Sequence, residues 1–181
     1  VKEAEEDHVT FVLESPDGDQ GYPGNLHIEV TYTLTEDNAV KISYYGVSDE
    51  DTVINMTNHS YFNMDGHASG DVMEQEVWID ADAFTRADKE SIPTGEIVPV
   101  EGTPMDFRTK KKLGRDIYDD YEALNYGMGY DHNWVLNNDG KFAKVAEMHS
   151  DESGITMEIY TDSPGMQLYI GNFIIDEKGK G

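Results

Sequence analysis

Leu26 to Leu34 reads Leu-His-Ile-Glu-Val-Thr-Tyr-Thr-Leu, with apolar and polar residues alternating at every step. A period of two commits a segment to an extended strand with one apolar and one wettable face, because successive strand side chains point to opposite sides. Ala39 to Val47 answers this pattern across Thr35-Glu36-Asp37-Asn38, so the two runs are predicted to form a hairpin. Further strands are predicted at Val9–Leu13, Thr52–Thr57, Val72–Ile79, His132–Leu136, Lys141–His149, Ile155–Thr161 and Met166–Phe173. Turns rich in Gly, Asn, Asp and Pro, such as Glu14-Ser15-Pro16-Asp17-Gly18, separate them. Many short strands joined this way predict an all-β chain, an antiparallel sandwich or barrel.

Two stretches break the pattern. Asp80–Thr109 reads as a long turn-rich excursion, and excursions of that size in compact domains are commonly functional. Thr109–Leu124 has the best helical pattern, weakened by Gly114. No internal repeat and no linker divides the 181 residues, so a single domain over 1–181 is expected.

The chain carries 37 acidic and 13 basic residues, a formal charge of −24. Such a surface repels phosphate, so neither nucleic acid nor an anionic membrane is an expected partner. No apolar run approaches the length of a membrane span. Val1 to Asp7 has neither the basic start nor the apolar stretch of a signal peptide, and zero cysteines fit a reducing compartment, so a cytoplasmic location is expected. The acids are scattered along the chain. The nearest approach to a calcium loop, Asp17-Gly18-Asp19-Gln20-Gly21, lacks a third ligand and a closing glutamate, so no metal is expected.

One polar octapeptide stands out: Asn58-His59-Ser60-Tyr61-Phe62-Asn63-Met64-Asp65. It places a histidine where the predicted strand Thr52–Thr57 gives way to a loop containing Gly66 and Gly70. Imidazole titrates near neutrality, which suits proton transfer in either direction. By itself such a histidine is more often an ordinary loop residue.

Its company changes that reading. Ser15-Pro16-Asp17-Gly18-Asp19-Gln20-Gly21-Tyr22-Pro23-Gly24-Asn25-Leu26, Thr57 to Asn63, Gly129-Tyr130-Asp131-His132-Asn133-Trp134-Val135-Leu136 and Ser163-Pro164-Gly165-Met166-Gln167-Leu168-Tyr169-Ile170-Gly171-Asn172-Phe173 occur in this order. Ile92-Pro93-Thr94-Gly95 and Gly102-Thr103-Pro104-Met105-Asp106-Phe107-Arg108 lie between them. Together they resemble the aldose 1-epimerase, or galactose mutarotase, family over nearly the whole chain.

That resemblance implies an antiparallel β-sandwich of the galactose mutarotase-like type, with a sugar site in an open cleft. It implies interconversion of the α and β anomers of a free hexose such as galactose or glucose, with no cofactor. A base takes the anomeric hydroxyl proton, an acid protonates the ring oxygen, and the opened sugar recloses on either face. His59 matches the general acid. Ser60, Tyr61 and Phe62 accompany it along the sugar site, and Asp131 and Gln167 match polar contacts to the sugar hydroxyls. A monomer or homodimer is expected.

The resemblance also implies a domain incomplete at both ends, the central portion of a longer polypeptide. The family's earlier part carries an arginine and a second histidine in a Leu-His-Gly type motif, and its later part carries the glutamate base. That base is expected beyond Gly181, because neither Asp176 nor Glu177 has matching surroundings. Two alternatives stay open: a carbohydrate-binding sandwich without catalysis, and an epimerase relative acting on a phosphorylated hexose. The latter is disfavoured by an arginine content limited to Arg86, Arg108 and Arg115.

The other polar residues have simpler readings. His132 is expected to be structural, and His8, His27, His67 and His149 have no motif. Tyr44-Tyr45 and Trp134 could stack on a sugar, but alternation favours core packing for at least one of each neighbouring pair. Lys110-Lys111-Lys112 reads as a solvated face.

Overall fold

A computed structural model describes residues 1–174, so Asp176 and Glu177 lie outside the described residues. The chain forms two compact units, Val1–Ser60 and the residues from Tyr61 onward.

The first unit is a four-stranded antiparallel meander, β1 (Glu3–Ala4), β2 (His8–Ser15), β3 (Leu26–Leu34) and β4 (Val40–Ser48), adjacent in chain order. The predicted hairpin is present. Leu26 opposes Ser48, Leu34 opposes Val40, and the turn closes with Thr35 N–H donating to the Ala39 carbonyl at 2.9 Å. In this register Val9, Phe11 and Leu13 share a face with Ile28, Val30 and Tyr32 and with Ile42 and Tyr44. Tyr44 and Tyr45 fall on opposite faces and both are exposed, at 40% and 58%, so neither packs into a core as the alternation suggested.

Thr52–Thr57, predicted as a strand, pairs with no strand among the described residues. Alternation requires only an extended backbone, whereas a strand needs a free sheet edge alongside it. Here the segment docks by side chains instead. Ile54 reaches the open space above Gly46, where a Cβ would meet its Cδ1 at 3.0 Å, and Asn58 Nδ2 donates to the Tyr32 hydroxyl at 3.2 Å. His59 therefore follows a coil segment that lies against the sheet, rather than the end of a strand.

The second unit holds two antiparallel sheets. One orders β11 (Thr156–Thr161), β10 (Ala143–His149), β5 (Glu76–Ile79) and β8 (Lys111–Lys112). The other orders β12 (Gly165–Tyr169), β9 (Asp131–Val135), β6 (Ala83–Ala87) and β7 (Pro93–Pro99). Val77, Ile79, Val145, Ala146 and Met148 of the first and Phe84 and Trp134 of the second join one hydrophobic core. Trp134 is fully buried, and its indole N–H donates to the Met105 carbonyl at 3.0 Å, which satisfies the polar edge of a ring that would otherwise be costly to bury. All-β antiparallel architecture is thus observed. Among the described residues every member of the hydrophobic core belongs to this unit.

Both irregular stretches differ from expectation. Asp80–Thr109 contains the hairpin β6–β7, whose turn is held by Asp88 Oδ1 accepting from the N–H groups of Glu90 and Ile92. Pro93, part of the turn-rich run that suggested a loop, opens an edge strand that Pro99 closes, where a missing N–H goes unnoticed. Thr109–Leu124 is mostly not helical. It supplies β8, a single 3-10 turn at Leu113–Arg115 and the first residues of a six-residue helix, α1 (Glu122–Gly127).

The three lysines are not one solvated face. Lys110 pairs with Glu147 and Lys112 with Glu74 at 2.8 Å, but Lys111 is 3% exposed. Extended backbone turns the middle side chain inward. There its ammonium donates to the Pro104 carbonyl at 2.6 Å and to Asp116 at 2.7 Å, 4.2 Å from the centre of the Phe107 ring. Burial holds its pKa below the usual lysine range despite the carboxylate.

Candidate active site

Strand alternation builds one half of the site. In β9, His132 and Trp134 point into the core, which leaves Asp131, Asn133 and Val135 on the opposite face. β12 pairs antiparallel with β9, placing Gln167 opposite Asn133 and Tyr169 opposite Asp131 on that same face. Gln167 Nε2 donates to Asp131 Oδ1 at 2.8 Å. The bond orients the carboxylate and leaves Oδ2 available to a ligand hydroxyl. Asn133 Nδ2 in turn donates to Thr85 Oγ1 at 2.9 Å, extending the polar row onto β6.

Aromatic groups border this row. The Tyr61 and Tyr169 rings lie 5.6 Å apart at 57°, and the Tyr169 hydroxyl accepts the Phe173 N–H at 2.9 Å. Tyr61 and Phe62 are exposed at 59% and 55%. A carboxylate with a polar amide beside open aromatic faces suits a pyranose, whose hydroxyls need directional acceptors and whose C–H faces need apolar cover.

Asn172 ties two of the motifs together. Its Nδ2 donates to the carbonyls of Gly127 (2.8 Å) and Tyr130 (2.9 Å), and it occupies the space a side chain at Gly129 would need. Gly129 also has φ +127°, a conformation that favours glycine.

The residues singled out in the sequence therefore divide. Asp131 and Gln167 are in contact, and Tyr61 packs on Tyr169, the cross-strand neighbour of Asp131. His59 and Ser60 close the first unit, where Ser60 N–H donates to Asn58 Oδ1 at 3.1 Å. The Asp17 loop is self-contained: Asp17 Oδ1 accepts from Gly24 N–H, and Asn25 links it to Asp49. His132 is structural. It is buried, its Nδ1 accepts the Asp131 N–H at 3.1 Å, and desolvation pushes its pKa down, which keeps it neutral. Tyr169, Asn133 and Thr85 escaped the sequence reading. The two-residue spacing from Gln167 and Asp131 could have flagged the first two, but nothing local marks Thr85.

Gly165 opposes Val135 at the end of this face, and a Cβ there would collide with the Asn133 amide. Gly165→Ala is expected to push Asn133 off Thr85 and to cost about 1–3 kcal/mol, the usual range for overpacking. Urea unfolding measures it, and an unchanged midpoint would show that Asn133 moves aside freely.

The sheets define an all-β antiparallel protein. The sequence model of the family described as aldose 1-epimerase matches residues 1–179, so the chain belongs to the aldose 1-epimerase family. It is 42% identical over 166 residues to a galactose mutarotase of Sus scrofa, and 39% identical over 177 residues to an aldose 1-epimerase of Haemophilus influenzae. Those alignments cover 92% and 96% of this chain, and 47% and 51% of the relatives. Among solved structures, a galactose 1-epimerase from Lactobacillus acidophilus superposes with TM-score 0.80 at 28% identity, over 94% of this chain and 49% of that one. An aldose epimerase homologue from C. elegans gives TM-score 0.82 at 29% identity, over 95% and 51%. The chain spans about half the length of the relatives it matches.

Proposed function

We propose that this protein acts in aldose mutarotation, opening and reclosing a free hexose such as galactose or glucose at its anomeric carbon. The observation that carries the reading is the Gln167–Asp131 hydrogen bond on the open sheet face beside Tyr61 and Tyr169. Family membership supplies the reaction. In this reading Asp131 and Gln167 receive sugar hydroxyls, Ser60, Tyr61 and Phe62 line the sugar, and His59 gives its proton to the ring oxygen. A base takes the anomeric hydroxyl proton as the ring oxygen receives one and becomes a hydroxyl; the exocyclic oxygen becomes the aldehyde carbonyl, and reclosure returns both protons. The family match over both units supports reading them as parts of one domain. The acidic surface supports a protein that avoids nucleic acid and anionic membranes, and the cysteine count fits a cytoplasmic location.

Polarimetry on freshly dissolved α-D-galactose and α-D-glucose tests the activity. The rotation is expected to relax faster with the full-length protein than in buffer, and Asp131→Ala is expected to raise KM about tenfold or more through loss of a charged acceptor. Relaxation at the buffer rate would overturn the catalytic reading. Calorimetric sugar binding without acceleration would instead identify a carbohydrate-binding sandwich.

A further inference from the structure

The sheet face that carries Asp131 holds more polar groups than the Asp131–Gln167 pair uses. Gln167 of β12 opposes Asn133 of β9, and Asn133 reaches the other way to Thr85 of β6, its Nδ2 donating to Oγ1 at 2.9 Å. The far end of the Asn133 amide lies over Gly165 of β12, where a Cβ would collide with Oδ1. The amide therefore lies flat across the sheet, anchored by Thr85 and given room by the missing side chain at 165. Its Oδ1 accepts no hydrogen bond among the described residues, and no buried side-chain oxygen there lacks a partner, so this oxygen faces solvent. Gln167 Oε1, left over from the bond to Asp131, is a second open acceptor on the same face.

Two strand steps separate Asp131 from Asn133, about 6.8 Å, and each neighbouring strand adds about 4.8 Å. Those are the dimensions of one hexopyranose. Toward Tyr169 the row turns aromatic, with Tyr61 against it, whereas toward Asn133 it stays polar. A sugar with one hydroxyl on Asp131 finds its next acceptors in the polar direction. A carboxylate and two amide carbonyls suit hydroxyl donors and repel a phosphate. Arg86, the next residue along β6 from Thr85, is engaged by Glu96 and Glu122 instead.

We infer that Asn133 is a further sugar-contacting residue: it presents Oδ1 to a second hydroxyl of the sugar that Asp131 holds, and so suits the site to an uncharged hexose. The inference rests on the mutarotase reading and deepens it.

Calorimetry on the full-length protein tests it without turnover, using D-galactose and the monodeoxygalactoses that lack the C2, C3, C4 or C6 hydroxyl in turn. Asn133→Ala is expected to weaken galactose binding about 3- to 10-fold, the usual effect of losing one neutral hydrogen bond. For one of the deoxy sugars the parent should already have lost that factor, and Asn133→Ala should lose nothing more. Thr85→Val, which removes the anchor and keeps the amide, is expected to weaken the same contact by a smaller factor. Galactose phosphorylated at C6 should bind more weakly than galactose, and tighter binding would overturn the preference for an uncharged sugar. Loss by one common factor for every sugar, or no loss, would overturn the inference and leave the mutarotase reading intact. A parent protein that binds no galactose would overturn that reading and the inference with it. Should Asn133→Ala lose its dispersed spectrum, Thr85→Val takes its place with the same outcomes.

Discussion

His59→Ala is expected to slow mutarotation by about 10²–10⁴-fold, the usual contribution of one general acid. Ring opening breaks the bond between the anomeric carbon and the ring oxygen, and that oxygen leaves as an unstable alkoxide unless a proton arrives with it. Alanine has no proton to give, and water is a poor substitute for a positioned general acid. Because Asp131 and Gln167 bond each other directly, sugar affinity should survive. The loss should therefore appear in kcat, with KM changed by about twofold or less. Optical rotation against time for α-D-galactose over a range of concentrations separates the two. A variant as fast as the parent would remove His59 from the chemistry.

The second large effect concerns stability, and its sign depends on which partner is removed. Asp116→Ala leaves the Lys111 ammonium, 1% exposed at its side chain, with the Pro104 carbonyl, the Phe107 face and only the more distant charge of Asp106. Breaking a buried pair from one side is costly. Asp116 is itself 19% exposed, so a loss of about 3 kcal/mol is expected, the low end of that range. Lys111→Met should cost far less, within about 1 kcal/mol. Asp116 keeps two bonds from Arg115, both 2.8 Å, and the Pro104 carbonyl keeps the Tyr130 hydroxyl at 3.1 Å. Equal losses in denaturant unfolding would refute this asymmetry.

The same site predicts an acid dependence. Arg115 foremost, then Lys111, lowers the Asp116 pKa from 3.8 to about 2. A carboxylate depressed in the folded state stabilises fully above its unfolded pKa, and that contribution is lost as pH falls from about 4 towards 2. Glu147, pulled to about 2 by Lys110 and then Lys144, behaves alike. Thermal melts between pH 5 and 2 should fall less steeply for Asp116→Ala than for the parent.

What the sequence disclosed follows from the physics of alternation. β3 is found at its predicted bounds because nine alternating residues leave no competing conformation. Thr52–Thr57 shows the opposite case, since alternation there describes an extended chain that lies on a sheet instead of joining one. β6 and β7 were hidden because proline signals a loop unless its strand is known to be an edge, and edges are a property of the assembled sheet. In the site, Asp131 and Gln167 were legible from motifs, but their contact depends on a register joining residues 36 apart. Lys111 was misread because three consecutive lysines look alike until the backbone sends the middle one inward. Thr85 carries no local signal at all; its partner Asn133 lies 48 residues on and meets it only once folded.

Strand order has a consequence for how the chain reaches this state. In the first unit neighbours in space are neighbours in sequence, so each strand can add to the last as a growing hairpin. In the second unit the chain lays β5 in one sheet, β6 and β7 in the other, returns for β8, crosses for β9, returns for β10 and β11, and crosses again for β12. Neither sheet is built from one continuous stretch of chain. Native-state hydrogen exchange should accordingly show both sheets of the second unit opening as a single cooperative block, with the meander exchanging earlier and strand by strand.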